Sequence, residues 1–450
     1  MSKQWEHAGC SVSLKLLDNG IQIAWDEEDV EVTSWRDVLG ATAKESELTI
    51  DLSPYNKHGQ RFLENIVVCS QDKALVKRYE ALICYYARHD FINALPEEEI
   101  LTKIEVERKC LVLINPVGGT GNALKMFKQV KGIFKAARIN AIVKLTEHAG
   151  HATELAMELD LKLYEFVVCV GGDGLLSEVV QGLMKRKDWS DAIQLPLGII
   201  PGGSGNGLAK SMIKHVKEEF YPENCAYLIV KGSPQPIDMM TTRNETETFI
   251  SFLSLAWAFI ADVDLDSETY RFLGGLRFTV SAVAKVLSRK RWYGTVSYLP
   301  ADNASSVSQY QHKDGTVLTP NFLPPIQKAK DSVPKGWKTI KGPFSFFWAT
   351  SAAYPSSDCY LAPQAHINDG YIYIVVVPEN VSLLTQAKLL LSLETGKHVE
   401  YPQVQVIKTR AYQLHRDDSE YVSVDGERLS GSTIQVEIHR GLGRIMSLPL

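Results

Sequence analysis

The stretch between residues 108 and 235 alternates short apolar segments with helical patterns, and this alternation constrains the fold more than any other feature of the chain. The apolar segments have the length and composition of buried strands: CLVLIN (110–115), NAIVKLT (140–146), EFVVCV (165–170) and QLPLGII (194–200). Between them, apolar residues recur at helical spacing over 121–137, 150–163 and 174–186. Strands and helices that alternate at this length predict a doubly wound parallel sheet, and therefore an α/β domain.

A glycine-rich turn follows three of the four predicted strands. The turns lie in the segments NPVGGTGNALK (115–125), GGDGLLSEVV (171–180) and PGGSGNGLAKSM (201–212). In an open parallel sheet such turns lie together at the carboxyl ends of the strands, where ligands bind. Glycine lets backbone N–H groups approach phosphate oxygens, and the helix after each turn adds a favourable dipole. One such turn is equally well explained as an ordinary tight connection, whereas three on one edge predict a phosphate site.

The spacing of these glycines excludes two common nucleotide motifs. None of the turns matches the G-x-x-x-x-G-K-[ST] pattern of a P-loop, and the first turn lacks the G-x-G-x-x-G spacing of a dinucleotide site. A ligand with phosphate groups would therefore be held by a different arrangement of strand, turn and helix.

The segments on either side of the alternating region are interpreted as separate units. Residues 1–95 contain short alternating strands followed by one helical pattern, which resembles a pleckstrin-homology-like module, and 95–107 form a glutamate-rich linker. From 236 to 450, longer strand-like runs predict an antiparallel β-rich domain. A loop or partly disordered insert interrupts it at 301–342. Asp-Gly pairs typical of hairpin turns occur at Asp369-Gly370 and Asp425-Gly426.

Charge and cysteine content narrow the class of protein. The formal net charge is −5, and residues 1–100 hold 10 Lys and Arg against 18 Asp and Glu. An acidic segment binds nucleic acid poorly, so we expect no nucleic-acid partner. Seven cysteines without a C-x-x-C pair favour buried thiols and a reducing, cytoplasmic setting. We expect neither a secretory signal nor a membrane span, because the longest apolar run, 249–261, is too short.

The glycine motifs occur in the order found in a known family. GGDG between a strand and a helix, PGGSGN about 30 residues later and NPVGG after the first strand together resemble the diacylglycerol-kinase catalytic-domain superfamily. The runs SLAWAFIADVDLDSETYRFLGGLRFT (254–279), TEHAGHATEL (146–155) and VDGE (424–427) are similar to the sphingosine kinases. The resemblance extends from about residue 108 to the C-terminus, apart from the insert. It implies a two-domain lipid kinase with ATP in the cleft between the domains and the lipid inside the second domain.

Asp173, in the second glycine turn, is the catalytic candidate. A kinase that phosphorylates an alcohol needs a carboxylate near the acceptor hydroxyl, and glycines on both sides of Asp173 permit close approach. The resemblance implies that Asp173 is the general base. It also places Asp173 at the substrate together with Gly171, Gly172 and Gly174. The alternative is that Asp173 caps the helix beginning near Leu175, a role that aspartate fills well.

The resemblance also implies a nucleotide site. The residues that it places along ATP are Asn115, Pro116, Val117, Thr146, Glu147, His148, Ala149, Gly150, Glu178, Gly203, Ser204, Gly205, Asp425, Gly426 and Glu427. Two cations of the family's first turn are missing, because Val117 and Thr120 stand at the positions of basic residues. The resemblance assigns Arg271 and Arg277 to the β- and γ-phosphates. No set of carboxylates has the spacing of a dedicated metal cage, so we expect Mg²⁺ to arrive with ATP.

Simpler structural roles stay open for several of these residues. His148 and His151 could be packing or polar surface residues, and Glu178 a solvated helix charge. Asp425-Gly426 could be only a tight hairpin turn, and the two arginines could lie on the surface of an amphipathic helix.

Asp264 selects the substrate among the alcohols that this family phosphorylates. A sphingoid base such as sphingosine carries an ammonium group near its hydroxyls, whereas diacylglycerol and N-acylated ceramide offer no cation to a carboxylate. The resemblance selects Asp264 over Asp262 for this contact. A ceramide or diacylglycerol kinase, a nicotinamide-dinucleotide kinase and a non-catalytic lipid- or nucleotide-binding adaptor remain alternatives.

The segment from residue 268 to 293 predicts contact with a membrane surface. An apolar stripe runs along it, and basic residues follow: Lys285, Arg289, Lys290 and Arg291. Basic amphipathic helices lie at anionic interfaces, so we expect transient peripheral recruitment to acidic membranes. The alternative is an ordinary amphipathic helix packed on the β-rich domain.

Overall fold

The fold is described from a computed structural model of the chain. The structure describes residues 5–8, 10–25, 29–89, 95–103, 107–119, 121–258, 292–301, 307–311, 318, 320–326, 333–417 and 421–449. Within these ranges the elements form an N-terminal unit, a central parallel sheet and a C-terminal part rich in antiparallel strands.

The N-terminal unit is an antiparallel sheet with one long helix. Its strands are β1 (Trp5–His7), β2 (Cys10–Leu17), β3 (Gly20–Ala24), β4 (Val30–Ser34), β5 (Val38–Lys44), β6 (Glu47–Leu52) and β7 (Glu64–Cys69). They pair in the order β4-β3-β2-β1-β7-β6-β5, which confirms the predicted antiparallel strands. Helix α1 (Lys73–Tyr86) begins where the Asp72 carboxylate accepts two backbone N–H groups, and it packs on the sheet. A short helix, α2 (Glu97–Thr102), lies in the predicted linker.

The central part contains four parallel strands with helices between them. The strands are β8 (Arg108–Ile114), β9 (Ile139–Leu145), β10 (Phe166–Gly171) and β11 (Leu197–Pro201). The helices are α3 (Ala123–Ala136), α4 (His151–Met157), α5 (Asp173–Met184), α6 (Trp189–Ala192), α7 (Gly207–His215) and α8 (Pro222–Lys231). The strand order is β9-β8-β10-β11, and β10 is buried along its whole length, as expected of a covered parallel strand. Connections leave β8 and β10 in opposite directions, so the turns after them flank a switch point.

The C-terminal part is rich in antiparallel strands, as predicted. Its strands are β12 (Ser233–Arg243), β13 (Thr248–Ser251), β14 (Ser254–Trp257), β15 (Gly294–Pro300), β16 (Lys338–Lys341), β17 (Phe346–Thr350), β18 (Ile372–Val377), β19 (Gln405–Arg416), β20 (Val422–Val424), β21 (Glu427–Leu429) and β22 (Thr433–Ser447). Helix α9 (Leu383–Ser392) and a 3₁₀ turn at Lys397–Glu400 lie between β18 and β19. Across the described ranges, no helix combines the length and the apolar composition that a membrane crossing requires.

The last strand belongs to both large groups of strands. β22 is 15 residues long and pairs antiparallel with β12 and β19. Near its end, Ile445 pairs in parallel with Leu197 of β11. Ile445 also lies in the same apolar core as the parallel sheet. The end of the chain therefore completes the central sheet as well as the C-terminal one.

Two local predictions in the C-terminal part are wrong. Asp369-Gly370 does not form a hairpin, because β18, which follows it, pairs with β17 and β19 and not with a strand that ends at this turn. Within 301–342, predicted as a loop, Lys338–Lys341 forms a strand that pairs with β15. The same segment is also tied to the sheet, since the N–H of Asn321 donates to the buried carboxylate of Glu437 at 2.6 Å.

Candidate active site

The three glycine turns meet at the carboxyl edge of the parallel sheet. A methyl group added to Gly203 would lie 2.3 Å from the Cα of Gly172. Gly119 has a φ of +59°, and a methyl group there would lie 2.7 Å from the Cα of Gly203. These contacts admit only glycine, because a Cβ would force the turns apart. The turns that the sequence places at separate strands thus form one continuous surface of backbone.

Asn115 shapes the first turn with its own side chain. Its Oδ1 accepts the N–H groups of two consecutive residues, Val117 at 3.2 Å and Gly118 at 2.8 Å. Val117, which stands where the family carries a cation, is 85% exposed. Thr120 lies outside the described residues. The turn therefore contributes preformed backbone to the edge of the sheet.

Asn206 plays the same part in the third turn, and sequence reasoning missed it. It adopts a left-handed φ of +54°, its Oδ1 accepts the N–H of Gly203, and its Nδ2 donates to the Gly203 carbonyl. Ser204 lies exposed at the tip, and the Gly205 carbonyl accepts the N–H of Ser357 at 2.7 Å. The available signal was an asparagine within a glycine run, since asparagine is enriched in this conformation. The bond to Ser357 fixes the turn to the C-terminal part.

Asp173 lies where the second and third turns meet, and it is 8% exposed. It is the first residue of α5, whose N-cap is Gly172. Its carboxylate accepts the N–H of Gly207 at 2.7 Å and that of Leu208 at 3.2 Å, at the start of α7. The alternative role as a cap of its own helix is therefore wrong, because the side chain caps a different one. Burial raises the pKa of Asp173 to about 6, although the two backbone donors oppose this effect.

A second buried carboxylate, that of Asp425, approaches from the C-terminal part. Asp425 and Gly426 have φ values of +51° and +91° between β20 and β21, which confirms the predicted hairpin. The Asp425 carboxylate accepts three consecutive N–H groups between β13 and β14: Phe252, Leu253 and Ser254. Burial raises its pKa to about 7, and the nearby charge of Asp173 acts in the same direction. Glu427, the last residue of this motif, is exposed.

The segment 146–150 follows the neighbouring strand β9. The N–H of Thr146 donates to the carbonyl at the end of β8 at 2.9 Å, and Thr146 is buried. Gly150 has a φ of +84° directly before α4. Glu178 of α5 accepts the N–H of Ala152 at 3.1 Å, so its carboxylate caps α4. The contacts of Thr146, Gly150 and Glu178 with a nucleotide stay predictions.

A group of side chains that could bind a metal ion lies beside this segment. The rings of His148 and His151 stack with centroids 4.8 Å apart, and the ligand atoms of both and of Glu154 lie within 4.8 Å of one another. The Nδ1 of His151 already accepts the N–H of Glu147 at 3.0 Å, which puts the proton of the neutral ring on Nε2. Ala149 lies in the sequence between His148 and the turn at Gly150. A divalent ion would have to displace the existing arrangement.

The remaining predicted site residues lie outside the described residues. They are Asp264, Arg271 and Arg277, together with the competing Asp262 and most of the predicted membrane-contact segment, 268–291. The carboxylate for the substrate amine and the two phosphate-binding cations therefore stay predictions.

Two family models match the parts of the chain that carry this site. Residues 109–242 match the diacylglycerol kinase catalytic domain. Residues 346–446 match the YegS C-terminal NAD kinase beta sandwich-like domain. The first match contains the three glycine turns and Asp173, and the second contains Asp425.

Sphingosine kinases are among the most similar curated proteins. Sphingosine kinase 1 of Arabidopsis thaliana is 29% identical over 420 residues, which cover 83% of this chain and 86% of that protein. Sphingosine kinase 1 of Homo sapiens is 34% identical over 345 residues, which cover 74% of this chain and 88% of that protein. The crystal structure of a diacylglycerol kinase from Bacillus anthracis str. Sterne has a TM-score of 0.50 at 15% identity and covers 77% of this chain and 99% of its own. At that identity the likeness concerns the fold alone.

Proposed function

Because this chain belongs to the sphingosine kinase family and is a sphingoid-base lipid kinase, we propose that Asp173 is the base that activates the lipid hydroxyl. The primary hydroxyl of sphingosine loses its proton to Asp173, and its oxygen forms a bond to the γ-phosphorus of ATP. The bond between that phosphorus and the β–γ bridging oxygen breaks, and ADP leaves with the electron pair. The products are sphingosine 1-phosphate and ADP.

The buried position of Asp173 is the single observation that carries this proposal. Its carboxylate lies at the junction of the second and third turns, where burial raises its pKa to about 6. A carboxylate with that pKa is ionised at neutral pH, yet it accepts a proton more readily than an exposed aspartate does. The two N–H groups of α7 fix its orientation, so that the carboxylate is preorganised before substrate binds.

ATP is the co-substrate, and we propose that its phosphates lie along the three glycine turns. The mutual contacts of Gly119, Gly172 and Gly203 support this placement, because they bring the N-termini of α3, α5 and α7 to one edge. Mg²⁺ would neutralise charge that develops on the phosphates. Both oxygens of Asp425 are engaged by backbone N–H groups, which fits an ion held mainly by ATP and water. Glu427 and the segment 146–150 keep their predicted places beside the nucleotide.

Selection of the substrate rests on residues outside the described ranges. We propose that the Asp264 carboxylate pairs with the ammonium group of the sphingoid base, and that Arg271 and Arg277 clamp the phosphates. Ceramide, diacylglycerol and nicotinamide dinucleotide lack an amine at the corresponding place. A preference for any of them would assign the scaffold to one of the competing kinases.

One experiment separates these alternatives. The full chain is incubated with labelled ATP and, in parallel, sphingosine, ceramide, diacylglycerol or nicotinamide dinucleotide, and the labelled product is identified. We expect label in sphingosine 1-phosphate and none in the other three products. Asp173→Ala serves as the control for contaminating kinases. Label in another acceptor would change the substrate, and no label in any would favour the adaptor.

The domain organisation and the cellular location of the enzyme are also proposals. We propose a cytoplasmic enzyme of three units, 1–95, 108–235 and 236–450, that is recruited peripherally to acidic membranes, where its substrate resides. The seven-stranded sheet and α1 support the pleckstrin-homology-like interpretation of the first unit. The basic segment that would contact lipid lies within 259–291, outside the described residues.

A further inference from the structure

Arg61 connects the N-terminal unit to the central part of the chain. It is 3% exposed, and its guanidinium lies 3.9 Å from the ring centroid of Tyr55 and 3.5 Å from that of Tyr227 on α8. It forms ion pairs with Asp37 at 2.8 Å and with Glu218 at 3.0 Å. Asp37 belongs to the N-terminal unit, whereas Glu218 lies in the loop between α7 and α8. The guanidinium therefore joins the two parts through a buried charge pair.

Glu218 is the counterpart of Arg61 in the central part, and it is 6% exposed. Its carboxylate also accepts hydrogen bonds from the Tyr55 hydroxyl and from the side-chain amide of Asn224. A buried carboxylate that loses its cation becomes costly, because water cannot solvate it and the remaining neutral donors do not balance its charge. The position of Glu218 therefore depends on Arg61.

Helix α7 links Glu218 to Asp173. Glu218 lies three residues beyond the last residue of α7, and its N–H donates to the carbonyl of Ile213 in that helix at 3.0 Å. The opposite end of α7 supplies the two N–H groups that hold the Asp173 carboxylate. A helix of nine residues is about 13 Å long and moves as one rigid rod. A displacement at Glu218 is therefore transmitted to the end that binds Asp173.

A half-buried lysine joins the same two parts through a different helix. Lys231, the last residue of α8, donates to the carbonyl oxygens of Trp35 at 2.9 Å and Val38 at 2.8 Å, and to that of Ala87. None of these three contacts involves α7. Lys231 thus provides a matched comparison, since it docks the N-terminal unit without a direct link to Asp173.

We propose that Arg61 is a positioning residue for phosphoryl transfer, which holds Asp173 between the glycine turns through Glu218 and α7. The inference rests on the proposed role of Asp173 as the base. It makes the N-terminal unit a working part of the kinase. Without Arg61, α7 shifts more freely along its axis, and Asp173 loses the donors that orient it.

The first test compares Arg61→Ala with Lys231→Ala in the full chain. In Arg61→Ala we expect kcat, corrected for the folded fraction, to fall by about tenfold or more, while KM for ATP changes by less than about threefold. In Lys231→Ala we expect kcat to stay within about twofold of the wild-type value, even though the melting midpoint falls. Arg61→Lys keeps the positive charge but loses the planar, two-pronged guanidinium. Its kcat should therefore lie between those of the wild type and Arg61→Ala. Equal losses of kcat in the two alanine variants would overturn the proposal.

The second test reads the position of α7 without any turnover. Hydrogen–deuterium exchange of a peptide covering 203–212 reports on the N–H groups of Gly207 and Leu208. We expect faster exchange in Arg61→Ala than in the wild type or in Lys231→Ala. Unchanged exchange would overturn the link through α7. If Arg61→Ala does not fold, Glu218→Gln replaces it, because glutamine keeps the shape while it removes the charge.

The fall of kcat at low pH, its acid limb, shows whether Arg61→Ala misplaces Asp173 or only destabilises the protein. Asp425 is a second titratable carboxylate that interacts with Asp173, so the acid limb belongs to the pair of carboxyls. Weaker donation from Gly207 and Leu208 raises the pKa of Asp173, and the limb should move to higher pH in Arg61→Ala. In a variant that is only less stable, the pH at which kcat falls would be unchanged. If Asp173→Ala retains turnover, the proposed base is wrong, and the exchange measurement still decides whether Arg61 controls α7.

Discussion

A buried carboxylate lies at each end of α7, and the two have different surroundings. Glu218, beyond the C-terminal end, is matched by the guanidinium of Arg61 and by two neutral donors. Asp173, at the N-terminal end, is held by backbone N–H groups. Over the ranges that the structure describes, no lysine or arginine forms an ion pair with Asp173. A second carboxylate, that of Asp425, interacts with it.

This difference distinguishes a structural site from a reactive one. A carboxylate that is matched by a cation fixes two parts of a protein, and it gains nothing from exchanging its proton. A carboxylate held only by dipoles keeps a raised pKa and can accept a proton during a reaction. Burial alone therefore does not identify the catalytic group, and Asp173 is distinguished by its place where the glycine turns meet.

The largest expected effect is loss of turnover in Asp173→Ala. We expect kcat to fall by about 10³-fold, because the proposed base for the hydroxyl proton is removed. The melting midpoint should change little, since removal of a buried charge offsets the loss of two hydrogen bonds. Steady-state kinetics and thermal unfolding measure the two effects. Activity close to that of the wild type would remove Asp173 from the mechanism and erase the contrast with Glu218.

Glu218→Ala should lose mainly stability, together with the smaller fall in kcat that is expected of Arg61→Ala. Breaking a buried ion pair costs about 3–5 kcal/mol, because the buried guanidinium of Arg61 loses its buried partner and keeps only the ion pair with Asp37. Urea unfolding measures this loss. Arg78→Ala is the matched control, since Arg78 and Glu97 form an exposed pair that should contribute less than about 1 kcal/mol. Similar losses of unfolding free energy in both variants would mean that burial does not strengthen the ion pair of Arg61 and Glu218.

Gly203→Ala tests whether ATP binding near Asp173 requires the close contact between the second and third glycine turns. The added methyl group would lie 2.3 Å from the Cα of Gly172, so the second and third turns must separate. We expect kcat/KM for ATP to fall by about 100-fold, because misplacement by about 1 Å is enough for such a loss. Gly132→Ala is the control, since its methyl group would meet only the end of the Leu63 side chain. A normal kcat/KM in Gly203→Ala would separate ATP binding from the contact between the turns.

The smallest expected effect is a pair of opposing pH trends. kcat should fall as the pH falls through about 6, because Asp173 must be ionised to act as a base. Asp173 and Asp425 have pKa values of about 6 and 7, above the ordinary 3.8, so the folded state holds these protons more tightly than the unfolded state. Their contribution to stability therefore declines as the pH rises from about 4 to 7.

Urea unfolding and kcat, each measured between pH 5 and 8, check the two trends. Asp425→Asn should remove a large part of the decline in stability while leaving an acid limb in kcat. An acid limb near pH 4 would show that Asp173 titrates like an exposed aspartate. The reactive end of α7 would then differ from the structural end only in its partners.

The glycine turns could be predicted from the sequence because their signal is local. Strand hydrophobicity and glycine spacing act over a few residues, and they located Asp173 at the correct edge of the sheet. The partners of Asp173 could not be predicted, since Gly207 lies 34 residues away and a single hydrogen bond produces no periodic pattern in the sequence. The pair of Arg61 and Glu218, 157 residues apart, is hidden for the same reason.

The length of β22 was underestimated for a different reason. The sequence predicts a strand over 433–438, because the polar His439 and Arg440 then interrupt the apolar alternation. The strand continues, since His439 is buried and bonded to the Thr241 hydroxyl at 2.7 Å. A polar residue with a buried partner looks like a strand end in the sequence, although it lies in the interior of the sheet.

The shared strand β22 also bears on how the protein is made. Because Ile445 pairs with Leu197, the parallel sheet gains this neighbour only after the segment around Ile445 has been synthesised. Contacts between residues so far apart in sequence slow folding. Until then, the edge of β11 lacks its neighbour, and an unpaired edge invites association with other nascent chains. Folding of the parallel sheet in this kinase is therefore tied to a strand that is synthesised long after β11.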